Sequence, residues 1–271
     1  MSLSATFPQS DDPVPPKAGP QGSQTLLRGL DMLDQVIDGP VPLADLSARM
    51  GLSRSTTHRL ANALIDRGFV TFLPREGYQL GPKLLHLGFL AQAQVDLVHI
   101  ARSHLEALAL KSEDTVHLGR MDEDRALYLD KIPGRRRVEI SSRVGDRQPL
   151  TRTGLGKALM LNARPAEWEQ TFAREQPAGD FAPWCEQMRG YAEAGCAFDL
   201  EENEDQIRCI AAPVRDASGA IVAAISVSSA AQYMDDDRMK ALSGDVRDTA
   251  SAISTDLGWQ QSSPAADLRR G

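Results

Sequence analysis

Two sets of residues in this 271-residue chain have types and spacings that could do chemistry. The first lies in Ser53-Arg54-Ser55-Thr56-Thr57-His58-Arg59 and runs on to Asn62. On a helix, spacings of three and four put Arg54, Ser55, His58, Arg59 and Asn62 on one outward face, while Thr57, Leu60 or Ala61, and Leu64 turn to a core. A helix presenting Arg, Ser, Thr (Thr56) and His at its N-terminal end fits a DNA major groove, where such side chains meet base edges. The free N–H groups at its start can meet phosphate. A solvated face, or one that docks another protein, would use the same residues.

The second set lies near the other end. In AIVAAISVSS (220–229), strand alternation puts Ser226 and Ser228 on one face with Ala224, leaving Ile225 and Val227 on the other. Two hydroxyls on a small-residue face suit a polar ligand better than an apolar core. Cys209, on the preceding strand, is placed to line the same cavity, and Asp199 can accept from ligand hydroxyls. Thr153-Gly154-Leu155-Gly156 opens a helix whose N–H groups could hold a carboxylate. The bland alternatives are strand-edge serines, a turn aspartate and a cysteine acting as a small buried hydrophobe.

Helices and strands must position both sets. Leu26, Leu30, Leu33 and Ile37 fall at i, i+4, i+7 and i+11, which predicts a helix from Gln24 with that apolar face, ended by Gly39-Pro40. Pro42, at a first helical position, starts LADLSARM, which Gly51 closes. Ser53 is a natural N-cap for the third helix, and Gly68 supplies the left-handed position after it. Phe69–Leu73 and Tyr78–Leu80, around Pro74-Arg75-Glu76-Gly77, read as a hairpin. Three helices and a wing make a winged helix-turn-helix, with Arg75 at the wing tip placed to touch the DNA backbone or minor groove.

Residues 82–111 predict a linker helix continuing into the first helix of a second domain. Beyond it, TVHLG (115–119), ALYLDKI (126–132) and VEISSR (138–143) read as strands. Thr153–Asn162, Pro183–Ala194 and Asp235–Leu257 read as helices, and IRCIAAPV (207–214) forms a last hairpin with residues 220–229. The class is α+β with a mostly antiparallel sheet in the second domain. The expected organisation is a flexible tail at 1–23, a DNA-binding domain at 24–81, a linker helix at 82–96, an effector domain at 97–259 and a flexible tail at 260–271.

Composition narrows the partners. Hydrophobic residues make up 42%, enough for ordinary cores, and no apolar run approaches the roughly 18 residues a membrane helix needs. The N-terminus lacks a basic region followed by an apolar stretch, and three irregularly placed cysteines suit neither a disulfide framework nor a zinc site, so a cytoplasmic protein without membrane attachment is expected. Net charge is −7, and arginines and acids balance within residues 24–81. Charge therefore argues for no general nucleic-acid affinity. A DNA-binding module with so few cations would need a second copy to double its phosphate contacts, hence a homodimer or homotetramer.

Other signals carry less. Gly154-Leu155-Gly156-Lys157 lacks the spacing and the following Ser/Thr of a phosphate loop. The histidines have no partners at metal-ligand spacing, so no metal and no cofactor are expected. Arg135-Arg136-Arg137 reads as a solvated basic turn. No nucleophile–base–acid set stands out, so no catalytic residues and no enzyme activity are expected.

The most specific stretch is Gly195, three residues, Asp199, two residues, Glu202, six residues, then Cys209-Ile210-Ala211-Ala212-Pro213-Val214. It closely resembles the signature of the IclR family of bacterial regulators, with a departure at Arg215, where the family usually carries an aromatic residue or Leu. The winged helix, the linker and the last hairpin fall in that family's order, so the resemblance covers about residues 23–259. It implies a GAF-like effector domain, double-stranded operator DNA as partner, and effector contacts at Gly154, Leu155, Asp199, Cys209, Ser226 and Ser228. Several segments are most similar to the branch that contains the ketodeoxygluconate repressor, which implies a small organic acid as effector, a sugar acid or keto acid. The expectation is thus a DNA-binding regulator, by preference a repressor. The rival is a DNA-independent sensor or enzyme with the winged helix as a docking piece.

Overall fold

The computed structural model describes residues 21–137 and 140–260, so most of both expected tails lies outside the described residues. The chain forms two compact units that divide after Gln94. The first contains α1 (Gln21–Asp34), α2 (Leu43–Met50), α3 (Arg54–Asp66), β1 (Val70–Leu73), β2 (Gly77–Leu80) and α4 (Pro82–Ala93). Capping explains the boundaries. Gly51 ends α2 in the left-handed region, and the Ser53 hydroxyl accepts from Thr56 N to start α3.

The core of this unit is Met32, Val36, Val41, Leu46, Ala61, Val70 and Tyr78. The expected stripe on α1 is corrected by the structure: Leu26, Leu30 and Ile37 are exposed and Leu33 is half-buried. Only the end of α1 reaches the core, through Met32, and Val36 follows in the turn beyond the helix. A four-residue apolar spacing therefore marks here a surface row, not the buried one. β1 and β2 form an antiparallel wing, and Val41 and Tyr78 exchange backbone hydrogen bonds of 2.8 and 2.9 Å. Those bonds fasten the wing to the α1–α2 connection. Gly77 makes the approach possible: its φ is +119°, and a Cβ there would lie 2.2 Å from Val41 O.

The expected continuous helix over 82–111 is interrupted. α4 ends at Ala93, and α5 (Leu97–Ser112) starts afresh because the Asp96 carboxylate accepts from His99 N. No residue of α4 is buried.

The second unit continues with β3 (Thr115–Asp122), β4 (Arg125–Ile132), β5 (Arg147–Gln148), α6 (Gly154–Leu159), α7 (Pro165–Glu175), α8 (Phe181–Ala194), β6 (Ala197–Leu200), β7 (Ile207–Arg215), β8 (Ile221–Ala230) and α9 (Asp236–Asp256). Its strands form one antiparallel sheet in the order β5-β4-β3-β8-β7-β6. The expected strand at 138–143 is corrected: residues 140–143 are irregular, and 138 and 139 lie outside the described residues. The edge strand comes later, at β5, which pairs with β4 through Ala126–Gln148 and Leu127–Arg147.

The sheet has two unlike faces. Val116, Leu118, Ile210, Ala212, Val214, Ile225 and Val227 pack with α5 and α9. The other face carries Ala126, Tyr128, Ala197, Ala211 and Ala224, packed with α6, α7 and α8 through Leu155, Trp168, Phe172, Trp184 and Met188. The entry to α6 is clamped by the Glu175 carboxylate, which accepts from Leu150 N, Thr151 N and Thr151 Oγ1 at 3.1, 2.9 and 2.7 Å. No single helix among the described residues is long and apolar enough to cross a membrane.

Because Gly77 combines a left-handed φ with a backbone contact, Gly77→Ala should destabilise the first unit by about 3 kcal/mol. In scanning calorimetry of the full chain, the transition of the first unit should move down while that of the second stays. An unchanged profile would mean that the wing is not held through this contact.

Candidate functional site

The first candidate is the outer face of α3. Arg54, Ser55, His58, Arg59 and Asn62 are exposed together and Thr56 is half-buried, while Thr57 and Ala61 are fully buried beneath them. The Ser53 cap joins the hydroxyls of Ser55 and Thr56 at 3.1 and 2.9 Å, which holds the start of the helix in one conformation. One turn on, Asn62 Nδ2 lies 3.4 Å from His58 Nδ1. Among the described residues, Arg54, Arg59 and Arg75 make no ion pair, so their guanidinium groups are available to an external anion. Arg75 is exposed at the wing tip with φ +76°, which a tight turn imposes on it. The face combines cations, hydroxyls and amide at the N-terminal end of a rigid helix, the donor and acceptor types that read base edges.

The second candidate lies on the polar face of the large sheet. Cross-strand register sets it out in rows: Asp199 is opposite Cys209, Cys209 opposite Ser228, and Ser228 opposite Thr115. In the next row Ala211 is opposite Ser226, and Ser226 opposite His117. Directly paired residues share a face, so these side chains converge on one side of the sheet. A small cavity of about 40 Å³ forms there, lined chiefly by His117, Tyr128, Thr153, Asp199, Cys209 and Ser228. Ser141 and Ser142 on one loop and Asn203 and Glu204 on another cover it. A hydrogen bond of 3.3 Å from Ser141 Oγ to Glu204 Oε2 joins the two loops.

Of the residues expected from the sequence, Asp199, Cys209 and Ser228 line this cavity. Gly154 stands just behind it, where a Cβ would come within 3.0 Å of Cys209 Sγ and 3.4 Å of Asp199 N. Ser226 is buried beside the lining, and Leu155 points into the apolar cluster instead. The sequence reading missed His117, Tyr128, Ser142, Gln148, Asn203 and Glu204. His117 left a signal, since in TVHLG it shares strand parity with Thr115 and stands between apolar residues. The loop residues left none, because their place depends on tertiary approach.

Burial sets the electrostatics. Desolvation raises the Asp199 carboxyl to about 6, against the opposing hydrogen bond from Glu202 N at 2.8 Å and the nearby Lys157. Cys209 is pushed up to about 11 by burial and by Asp199, so it is a neutral thiol at physiological pH. His117 is held down at about 3 by burial and by Lys131, and is therefore uncharged. Its ring stacks on Tyr128 with centroids 4.9 Å apart, and burial raises the Tyr128 phenol. Lys157 is fully buried, bonded through Nζ to Phe198 O at 2.9 Å and to the Glu202 carboxylate, and so ties α6 to the turn after β6. An enclosed cavity with neutral donors and acceptors and two carboxylates can hold a small hydroxylated molecule by hydrogen bonds. Among the described residues no three His, Cys, Asp or Glu side chains form a metal-binding group.

Comparison with known proteins agrees with both halves. Residues 25–74 match the family model described as the IclR helix-turn-helix domain, and residues 90–255 match that for the bacterial transcriptional regulator IclR C-terminal region. The chain is 33% identical over 256 residues to the DNA-binding transcriptional repressor YiaJ of Escherichia coli strain K12, covering 90% of this chain and 91% of that protein. It is 30% identical over 233 residues to the HTH-type transcriptional regulator KdgR of the same organism, covering 81% and 86%. Among solved structures, the Agobacterium tumefaciens repressor BlcR superposes with a TM-score of 0.73 at 23% identity, over 88% of this chain and 98% of that one, a likeness of fold. The Thermotoga maritima IclR superposes with a TM-score of 0.56 at 26% identity, over 88% and 100%. A helix-turn-helix with a polar recognition face, joined to an α/β unit that encloses a polar cavity, thus has a plain assignment: the chain belongs to the IclR family of DNA-binding transcriptional regulators, with a C-terminal effector-binding domain.

Proposed function

We propose that the chain is a repressor acting in the cytoplasm as a homodimer or homotetramer, and that a small organic acid, a sugar acid or keto acid, switches its hold on a palindromic operator. The observation that carries the effector half is the convergence of Thr153, Asp199, Cys209 and Ser228 on one enclosed cavity. Gly154 stands behind its wall on α6, and Ser226 extends the polar row. In the DNA half, Arg54, Ser55, Thr56, His58, Arg59 and Asn62 read the major groove and Arg75 touches the backbone. The repressor sign is supported by the relatives named as repressors, YiaJ and the E. coli AllR. The chain acts by binding alone, without catalysis, metal or cofactor. For the acid to switch DNA binding it must prefer one arrangement of the subunits, and a tenfold preference corresponds to about 1.4 kcal/mol.

Association of two copies is supported by α4. It buries none of its residues, and Leu85 and Phe89 are 79% and 71% exposed. A lone 12-residue helix is marginal in water, so an apolar helix of this length needs cover. A second copy would supply that cover and double the phosphate contacts of a module without net charge.

Four outcomes are expected. In gel-shift titrations on the upstream intergenic DNA at two salt concentrations, the protein should give a specific, salt-sensitive shift that one acid of a panel abolishes or strengthens. The double variant Arg54→Ala/Arg59→Ala should lose at least tenfold in affinity and show a shallower salt dependence. Binding unchanged in that variant would favour the docking-module alternative. Leu85→Glu with Phe89→Glu should give monomers by light scattering and weaken operator binding, whereas an intact oligomer would remove α4 from the interface.

The fourth concerns Asp199, read as a ligand contact kept at the expense of stability. Its folded pKa of about 6 exceeds the ordinary 3.8, so the native state binds the extra proton between those values. Its relative contribution is greatest below pH 3.8 and is lost as pH rises through 6. Asp199→Asn should therefore stabilise the second unit above pH 6, by up to about 3 kcal/mol, with the gain vanishing near pH 4. Thermal melts across that range, and loss of the acid's effect on the gel shift, check both sides. A variant that is less stable at pH 8 would make Asp199 a structural residue.

A further inference from the structure

An open groove of about 340 Å³ lies elsewhere in the second unit, between the end of β7, the end of α8 and one side of α9. Its size is in the range of small-ligand sites. Two arginines, Arg215 and Arg247, line it, and among the described residues neither makes an ion pair. Backbone carbonyls hold each guanidinium instead. Arg215 Nη1 donates to Gly219 O at 3.0 Å, while Arg247 donates from Nε to Ser243 O at 3.3 Å and from Nη1 to Ala194 O at 3.1 Å. A guanidinium carries five N–H donors, so most of them stay unused. Asp216, next to Arg215, turns its carboxylate to Ser218 N and Ser218 Oγ at 2.9 and 2.6 Å. Arg215 is half-buried, and that desolvation pushes its pKa down. It is also where the chain departs from the family signature, so the fold itself does not demand the charge.

The end of α9 brings an aromatic ring to the same place. Gly258, with φ +86°, closes the helix: Gly258 N donates to Thr255 O and Trp259 N to Ser254 O, both at 2.9 Å. That turn sets Trp259, half-buried, into the groove wall. The indole N–H groups of Trp168 and Trp184 donate to Met160 O and Thr151 O within the fold. That of Trp259 has no partner among the described residues. Arg215 stands at the same end, because its backbone N donates to Ser254 Oγ at 2.8 Å. Arg247 lies seven residues before Ser254 on α9, about 10 Å along the helix, with Asp248 and Glu193 near it and Ser251 between the two ends.

We propose that this groove is a second small-molecule site, for an anion carried on a planar ring with a hydroxyl or amide group at its far end. Arg215 takes the anion, because hydrogen bonds from a guanidinium to a carboxylate or phosphate are among the strong ones and no acid of the chain occupies it. A flat ring matches that end, since the indole of Trp259 and the guanidinium both stack on planar groups. At the other end the cation of Arg247 is offset by Asp248 and Glu193. That mixture offers donors and acceptors without net positive charge, which suits an uncharged hydroxyl or amide. Aromatic carboxylates and nucleoside monophosphates share this chemistry. The site stands apart from the polar cavity on the large sheet, because no residue lines both.

The test uses the full chain, with 4-hydroxycinnamate and guanosine 5′-monophosphate as probes. Their counterparts without the charge are 4-hydroxycinnamide and guanosine, while acetate and inorganic phosphate supply the anion without the ring. With 15N-labelled tryptophan, the Nε1 resonance of Trp259, assigned through Trp259→Phe, should move on adding at least one ring anion. The resonances of Trp168 and Trp184 should stay. Calorimetry should show at least about tenfold weaker binding of that anion to Arg215→Leu, which loses the charge-assisted hydrogen bonds. The uncharged and the ringless counterparts should bind the parent chain more weakly by about the same factor. Binding should persist in Asp199→Asn, which alters the polar cavity alone. Whichever probe binds, carboxylate or phosphate, identifies the source of the anion. If Arg215→Leu fails to fold, Trp259→Leu, placed beyond the last helix, and the Nε1 resonance decide. Unchanged affinity in Arg215→Leu, or phosphate binding as tightly as the ring anions, would overturn the proposal. Loss of binding in Asp199→Asn would return the ligand to the polar cavity and overturn it too, as would a Trp259 resonance that neither probe moves.

Discussion

The pairing register of β7 with β8 is the constraint on which the second unit depends. With Ile210 opposite Val227 and Cys209 opposite Ser228, Ile210, Ala212 and Val214 with Ala223, Ile225 and Val227 make one face of the pair apolar, and Cys209, Ala211, Ser226 and Ser228 make the other small or polar. A slip by one residue would turn Ser226 and Ser228 into the α5–α9 core and push Ile225 and Val227 into the cavity. The apolar face makes that slip costly, since Ile210, Ile225 and Val227 are all fully buried there. The cavity's geometry is therefore held by the core on the far side of the same strands. Residues that never approach a ligand decide where Ser228 and Cys209 point.

Around that pair the polar side is tied together by a few buried ions. Lys157 bonds to Phe198 O and Glu202, Asp199 accepts from Glu202 N, and Glu175 collects three donors at the entry to α6. Glu175, with three donors, meets the condition under which burial of charge is tolerated, whereas for Asp199 desolvation outweighs its hydrogen bonds. These bonds hold α6 over β7 closely enough that a Cβ at Gly154 would crowd Cys209 Sγ at 3.0 Å and Asp199 N at 3.4 Å. The alanines at Ala197, Ala211 and Ala224 serve the same close approach from the sheet side.

Much of this was legible in the sequence because it was local. Ser53 as a cap, Gly51 and Gly68 as helix ends, the wing around Pro74–Gly77 and the parity of Ser226 with Ser228 depend on neighbours in the chain. Failures came where distance in the chain mattered. The row Leu26, Leu30 and Ile37 has helical spacing, but only α1's last turn meets the core, so its apolar residues stay outside. Residues 140–143 have strand-like composition, yet Lys131 and His117 use their backbone and Ser142 as a cover instead of a ladder. The short β6 and β5 were missed because pairing with β7 and β4, not their own pattern, makes them strands. Of the pocket, the strand residues were readable and the loop residues were not.

The cavity as it stands is small, about 40 Å³. Pockets that enclose small ligands usually measure about 300–1,000 Å³. If the effector occupies this cavity, as proposed above, the two covering loops must separate to admit it. Its apparent affinity is then its affinity for the open form multiplied by the fraction of time that form exists. Each bond across the cover, Ser141 to Glu204 or Ser142 to His117, lowers that fraction and slows exchange in both directions. On that reading, the serine hydrogen bonds across the cover take part in setting how fast the regulator responds, alongside the contacts that hold the ligand.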